Sequence, residues 1–403
     1  MAHPPKVQRC RRVALYSHDT QGLGHIRRNL AIAGALVAAR PSTEVLVVTG
    51  APGAGALDIP PGTDCLSLPA LGKQLDGSYR ARSLPRPLHA LIELRSRIIH
   101  AALTSFDPEV VVVDKVPWGI CGELRASLNE LRRAGRARFV LGLRDVLDSP
   151  DVARREWHED RASEAVASYY DAVWVYGDPR VFDLMAECDL PASVARRSTY
   201  TGYLGHGRPA APAGDVTPPE GPFALCLVGG GQDGLELARA FVQADLPPGW
   251  TGLVVSGPYM SAEDRHLLAR LASCRPTMVV AGHLSGVEHV IRSARAVVSM
   301  AGYNSVCELL AAGHRPLLVP RCHPRAEQLV RAARLARRGV VDLLHPDELS
   351  PRQLAHWLAS APERSCPGPV DLDGLSRLPG LLDHLLAAGR GPSLTRDRIH
   401  AAS

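Results

Sequence analysis

The stretch SHDTQGLGHIRRN (17–29) places His18, Asp19 and His25 close together, with Gly22 and Gly24 between them. A neutral imidazole accepts a proton near physiological pH, and a neighbouring carboxylate can orient its ring. His25 is therefore the leading candidate for a general base, and Asp19 for its orienting partner. Two further pairs, Asp114-Lys115 in VVVDKVPWG (111–119) and Arg144-Asp145 in LGLRDVLDSP (141–150), follow runs that read as buried strands. Asp114 is the alternative base. His18, Gly22, Gly24, Lys115, Arg144 and Asp145 are candidates to meet a polar substrate.

The second half of the chain carries a different chemistry. In LCLVGGGQDGLELARAF (225–241) an apolar run leads through Gly229, Gly230, Gly231 and Gln232 into a helical pattern. Backbone amides of such a turn, aligned with a helix N-terminus, bind an anion without a basic side chain. The stretch AGYNSVCELL (301–310) repeats the arrangement with Gly302, Asn304 and Ser305, and adds Glu308. An ionised carboxylate offers two acceptor oxygens to a vicinal diol. Ser305-x-x-Glu308 also fits a capping box, as does Ser285-x-x-Glu288, where the cap is the preferred reading. Asp371-Leu372-Asp373 lies between prolines and glycines far from these loops, so it reads as a turn, and no metal site is expected.

Short apolar runs alternate with helical periodicity along most of the chain, which predicts parallel sheets covered by helices. Strands are expected at 13–16, 44–48, 110–114, 138–143 and 172–176, and again at 223–228, 252–256, 277–281, 296–299 and 316–319. Helices are expected at 26–39, 87–104 and 119–133, with a terminal amphipathic helix over 373–389 broken at Pro379. The proline- and glycine-rich segment 205–222 separates the two series. The expected organisation is α/β, with doubly wound domains at 1–204 and 223–365, a linker at 205–222 and a tail at 366–403. Ligands bind beyond the carboxyl ends of strands in such sheets, and every loop named above lies at such an end.

Composition narrows the function classes. The chain has 403 residues, is 46% hydrophobic and 22% charged, and has a formal net charge of +5. The positive excess is dispersed, so nucleic acid is not an expected partner. Nine cysteines lie far apart with no Cys-x-x-Cys pair, which points away from disulfides and structural zinc and towards a reducing cytoplasm. No run approaches the ~18 apolar residues of a membrane span. The segment 71–103 joins a basic, proline-punctuated loop to an amphipathic helix and could meet an anionic partner or a membrane surface.

Residues 282–335, GHLSGVEHVIRSARAVVSMAGYNSVCELLAAGHRPLLVPRCHPRAEQLVRAARL, resemble the donor-binding half of the GT-B glycosyltransferases related to MurG. The resemblance implies two Rossmann-like domains facing one cleft and transfer of a sugar from a nucleoside-diphosphate sugar, expected to be a UDP-sugar. It implies inversion at the sugar and no metal cofactor. It sets His283 and Leu284 beside the uracil, the turn Gly302–Ser305 by the diphosphate, Glu308 on the ribose, and Glu327-Gln328 on the donor sugar. Gly22-Leu23-Gly24-His25 stands where the family carries a glycine-rich loop ending in Gly-His, on the acceptor side. Relatives have a glutamine pair at 327–328 and more glycines in the first loop. The acceptor is expected to be a small natural product or a lipid-linked cell-envelope precursor. A UDP-sugar epimerase or hydrolase and a catalytically silent partner of the same fold are the alternatives.

Overall fold

The computed structural model describes residues 10–19, 22–73, 78–208, 217–282, 286–361 and 370–388. In the first domain the strands are β1 (Arg11–Ser17), β2 (Thr43–Thr49), β3 (Thr63–Ser67), a hairpin of β4 (Leu71–Lys73) and β5 (Tyr79–Ala81), then β6 (Val110–Asp114), β7 (Arg138–Arg144), β8 (Ala172–Tyr176) and β9 (Ser198–Tyr200). Its helices are α1 (Gly24–Ala39), α2 (Leu88–Phe106), α3 (Arg125–Ala134), α4 (Pro150–Glu159), α5 (Ala162–Tyr169), α6 (Leu184–Glu187) and α7 (Ala192–Ala195). Seven strands form a parallel sheet in the order β3-β2-β1-β6-β7-β8-β9. The central strands are buried on both faces, which is why 110–113 reads as an unbroken valine run.

The second domain contains β10 (Phe223–Leu227), α8 (Leu235–Gln243), β11 (Thr251–Val255), α9 (Ala262–Ser273), β12 (Met278–Ala281) and α10 (Val287–Ser293). It continues with β13 (Ala296–Ser299), α11 (Tyr303–Ala311), β14 (Leu317–Leu318), α12 (Glu327–Arg337), β15 (Asp342–Leu343) and α13 (Pro351–Ala359). The strands form a second parallel sheet, ordered β12-β11-β10-β13-β14-β15. The last helix, α14 (Gly374–Ala387), returns to the first domain and buries Leu375, Leu378 and Leu382 in the core beneath α1. The Gly374 amide donates to the Tyr203 carbonyl at 3.0 Å, and Arg11 pairs with Asp383 at 2.6 Å.

Two expected helices differ from those observed, and several short strands have no counterpart among the expected ones. The helix expected over 119–133 is a single 3₁₀ turn at Ile120–Gly122 followed by α3, because Gly119, Cys121 and Gly122 all take positive φ and close a turn there. Helix α14 runs unbroken through Pro379. The proline removes one helical hydrogen bond, but buried leucines on either side of it hold both halves against the same core. The short strands β3, β9 and β15 lie at or next to sheet edges, where half-exposed residues give no apolar run to read. Among the described residues no helix is long and apolar enough to cross a membrane.

The two domains are joined by a buried ion pair. Arg331 of α12 donates through Nε to Asp145 Oδ2 at 2.8 Å and through Nη2 to Oδ1 at 2.6 Å, and through Nη1 to the Ala301 carbonyl at 3.0 Å. Both side chains are fully buried. Asp145 is thus committed to the other domain and is neither an acceptor contact nor half of a local pair with Arg144. Removing one member of such a pair strands the other charge out of water. Arg331→Ala is expected to lower unfolding free energy by about 3–5 kcal/mol in a denaturant titration.

Candidate active site

The loops at the carboxyl ends of both sheets face each other across one cleft. Its first-domain wall includes His18, Gly22, Gly24, His25, Arg28, Lys115 and Arg144. Its second-domain wall includes Gly229–Asp233, Gly302–Ser305, Arg321, Arg325 and Glu327–Arg331 in part.

On the first wall, α1 starts abruptly after β1, and Asp19 stabilises that start. Its Oδ1 accepts from the Ile26 amide at 3.2 Å and its Oδ2 from the Thr49 hydroxyl at 2.5 Å. Asp19 therefore satisfies an otherwise open helix amide rather than orienting an imidazole. The orienting carboxylate is Asp114. His25 Nδ1 lies 2.5 Å from Asp114 Oδ2, and Arg28 Nη2 donates to Asp114 Oδ1 at 2.5 Å. Burial pushes the Asp114 pKa up, but Arg28 and His25 overcome it and hold the carboxyl well below the usual carboxylate range. An ionised carboxylate can only accept, so Nδ1 carries the proton and Nε2 is left as the ring's acceptor. Burial pulls the His25 pKa below its ordinary value, against the attraction of Asp114 and with the help of Arg28 and Arg144. His25 is thus kept neutral, and Asp114 is its partner rather than an alternative base.

His18 packs edge-on against His25 with ring centroids 5.5 Å apart. Lys115 takes a left-handed conformation, φ 70°, just past β6 and lines the cleft. Arg144 lines it too, with its guanidinium pushed down to about 10 by burial.

On the second wall, Gly229 and Gly231 have φ of 61° and 90°, and a Cβ on Gly231 would collide with the Ser256 carbonyl. Only glycine folds this turn without strain. Helix α11 begins at Tyr303 with Gly302 as its N-cap and no side-chain cap. Ser305 and Glu308 are then already inside the helix, so the capping box is absent. Glu308 is buried, and its Oε1 accepts from Arg27 and from Arg208, each at 2.9 Å. Its Oε2 accepts from none of the described residues. Asn304 bridges the domains, donating to the Gly24 carbonyl at 2.8 Å and accepting from Arg208 at 3.0 Å. At the start of α12, Arg321 donates to Glu327 Oε1 at 2.6 Å and through its amide to Gln328 Oε1 at 3.2 Å. Helix α10 has Gly286 as its N-cap. His283, Leu284 and Ser285 lie outside the described residues.

The aspartates of Asp371-Leu372-Asp373 serve the docking of the tail. Asp371 pairs with Arg377, and Asp373 lies 2.9 Å from His206 Nδ1. The sequence reading named Arg144 but missed the other cleft arginines. Arg28 had a signal, because it follows His25 by three positions and so shares its helix face.

Residues 251–365 match the glycosyltransferase family 28 C-terminal domain. Solved structures similar to the whole chain include the calicheamicin glycosyltransferase CalG4, at 18% identity and TM-score 0.55, covering 94% of this chain and 100% of that one. Glycosyltransferase VinC in complex with DTDP is similar at 16% identity and TM-score 0.58, covering 94% and 100%. MurG of Acinetobacter baumannii is similar at 14% identity and TM-score 0.52, covering 94% and 98%. No curated protein sequence matches the chain. Residues 251–365 thus carry a glycosyltransferase family 28 C-terminal domain, and the chain as a whole has the GT-B fold. The family-matched segment supplies the part of the second wall from Gly302 to Arg331, while the glycine turn at 229–233 and His25, Asp114 and Arg144 lie outside it.

The His25–Asp114 pair has a spectroscopic consequence. In ¹⁵N-histidine NMR at pH 7.5, His25 is expected as the Nδ1-protonated tautomer. Asp114→Asn is expected to shift it towards a mixture of tautomers, whereas an unchanged spectrum would show that Asp114 does not set the tautomer.

Proposed function

We propose that the protein transfers a sugar from a nucleoside-diphosphate sugar, a UDP-sugar in the first instance, to the hydroxyl of a small natural-product acceptor, with inversion. The observation that carries this reading is the neutral His25, oriented by Asp114, facing an anion-binding turn and helix start across one cleft. His25 Nε2 takes the proton of the acceptor hydroxyl as that oxygen attacks the anomeric carbon. The bond to the diphosphate breaks on the opposite face, and the departing oxygens are stabilised by the amides of the glycine turn and the N-terminus of α11.

Other features support the details. Glu308, whose Oε1 accepts from two arginines, has its second carboxylate oxygen to offer the ribose diol. The leaving group can be stabilised by the backbone amides of the glycine turn and of the α11 start, which is why we propose a metal-independent reaction. The VinC structure contains DTDP, so a thymidine nucleotide is the competing donor. The short glycine loop on the first wall and the likeness to CalG4, a calicheamicin glycosyltransferase, favour a small molecule over a lipid-linked acceptor.

The test is nucleoside-diphosphate release from a panel of UDP- and TDP-sugars with candidate alcohols. Release only when an alcohol is present is expected, and release of free sugar or an epimer from the donor alone would move the assignment to hydrolysis or epimerisation. His25→Ala is expected to lower kcat by about 10²–10⁴-fold with little change in nucleotide Kd. Equal losses in kcat and nucleotide affinity would remove His25 as the base. Because the neutral ring is the active form and its pKa is depressed, kcat/KM should hold as pH falls and drop only below about 6.5, the ordinary histidine value.

A further inference from the structure

The arginines lining the cleft are almost all neutralised by a carboxylate. Arg27 pairs with Glu308, Arg28 with Asp114, Arg321 with Asp233 and Glu327, Arg325 with Asp148 and Glu156, and Arg331 with Asp145. Arg144 differs. Among the described residues no carboxylate pairs with it, and its Nε is buried without a hydrogen-bond partner. On the facing wall, Glu327 gives Oε1 to Arg321, but its Oε2 is also buried without a partner. Glu327 is 4% exposed, so that oxygen has little water to turn to.

The two open groups belong together. Glu327 is the strongest favourable charge acting on Arg144, yet no ion pair joins them. They stand on opposite walls of one cleft, Arg144 ending β7 and Glu327 opening α12. The cation also lies near enough to His25 to depress its pKa. A buried donor and a buried acceptor left unmade are costly, and the cost falls when a ligand supplies both partners. The charge of that ligand group can be decided. A carboxylate would satisfy Arg144 and be repelled by Glu327, and an ammonium would do the reverse. Hydroxyl groups satisfy both, accepting from the guanidinium and donating to the carboxylate.

Resting on the donor reading above, we propose that Arg144 and Glu327 clasp the hydroxyls of an uncharged donor sugar, and so select nucleotide-linked neutral hexoses over uronic acids and amino sugars. Arg144 is then a specificity residue contributed by the domain opposite the one that holds the nucleotide.

The test compares affinities for UDP, UDP-glucose, UDP-glucuronate and UDP-glucosamine, with TDP and TDP-glucose in parallel, by isothermal titration. Wild type is expected to bind the neutral sugar nucleotide more tightly than either charged one. Arg144→Met and Glu327→Gln are each expected to lose about 10–100-fold in UDP-glucose affinity while UDP affinity stays level. If Arg144→Met does not fold, Arg144→Gln, which keeps an N–H donor, is expected to show a smaller loss of the same kind. The proposal is overturned if Arg144→Met weakens UDP as much as UDP-glucose, because the guanidinium would then serve the diphosphate. It is equally overturned if UDP-glucuronate is the tighter ligand and loses its advantage in Arg144→Met, or if only the KM of an acceptor moves. Wild-type protein that binds no nucleoside diphosphate at all would overturn the donor reading itself.

Discussion

The contact between Arg331 and Asp145 is the constraint on which the rest of the cleft depends. It joins α12 of one domain to the end of β7 in the other, and the same guanidinium holds the carbonyl of Ala301 just before the turn into α11. Its planar fork suits this task, since a bidentate pair fixes direction as well as distance. Three pieces of the site are thereby set against one another: the wall carrying Arg144, the helix start at Gly302–Tyr303, and the helix that begins with Glu327. Tyr303 reinforces the joint, donating to the Tyr176 carbonyl at 2.8 Å and accepting from the Leu204 amide at 3.2 Å. Around it, Arg325 binds Asp148 and Glu156, and Asp148 also accepts from the Ala326 amide at 2.9 Å.

With the walls fixed, the electrostatics of the cleft follow from which cations have partners. Paired arginines are structural here, because each charge is already spent on a carboxylate. Arg28 illustrates the point: it touches Asp114, keeps that residue ionised, and so determines which nitrogen of His25 carries the proton. A base with a depressed pKa and Nε2 as its acceptor results from three residues acting together. The unsatisfied groups, by contrast, mark where a ligand has to complete the structure.

Legibility in the sequence was uneven for physical reasons. Strands β6 and β8 coincide with the runs expected at 110–114 and 172–176, since a strand buried on both faces must be apolar throughout. Strand β3 was not legible because its residues are half exposed and its pattern is indistinct. The Ser305-x-x-Glu308 pattern has the right residues for a cap but lies inside a helix that Gly302 caps, so residue type alone could not decide between cap and ligand contact. In the first loop the right residues were named with the wrong pairing. Asp19 is nearer to His25 in sequence, but the geometry of β1 and α1 turns it to the Ile26 amide, and Asp114 arrives from a strand 89 residues away.

The amino-acid sequence alone was enough to determine the local periodicities, the two series of parallel strands, the glycine turns at their ends, and hence the loops that must face a cleft. These depend on neighbours a few residues apart. Tertiary structure alone decided the ionic partners, because Asp145 and Arg331 are 186 positions apart and Arg27 and Glu308 are 281 apart. Whether a charge in this cleft braces the fold or awaits a substrate depends on what stands opposite it, and that is set by how two domains pack, not by any spacing along one chain.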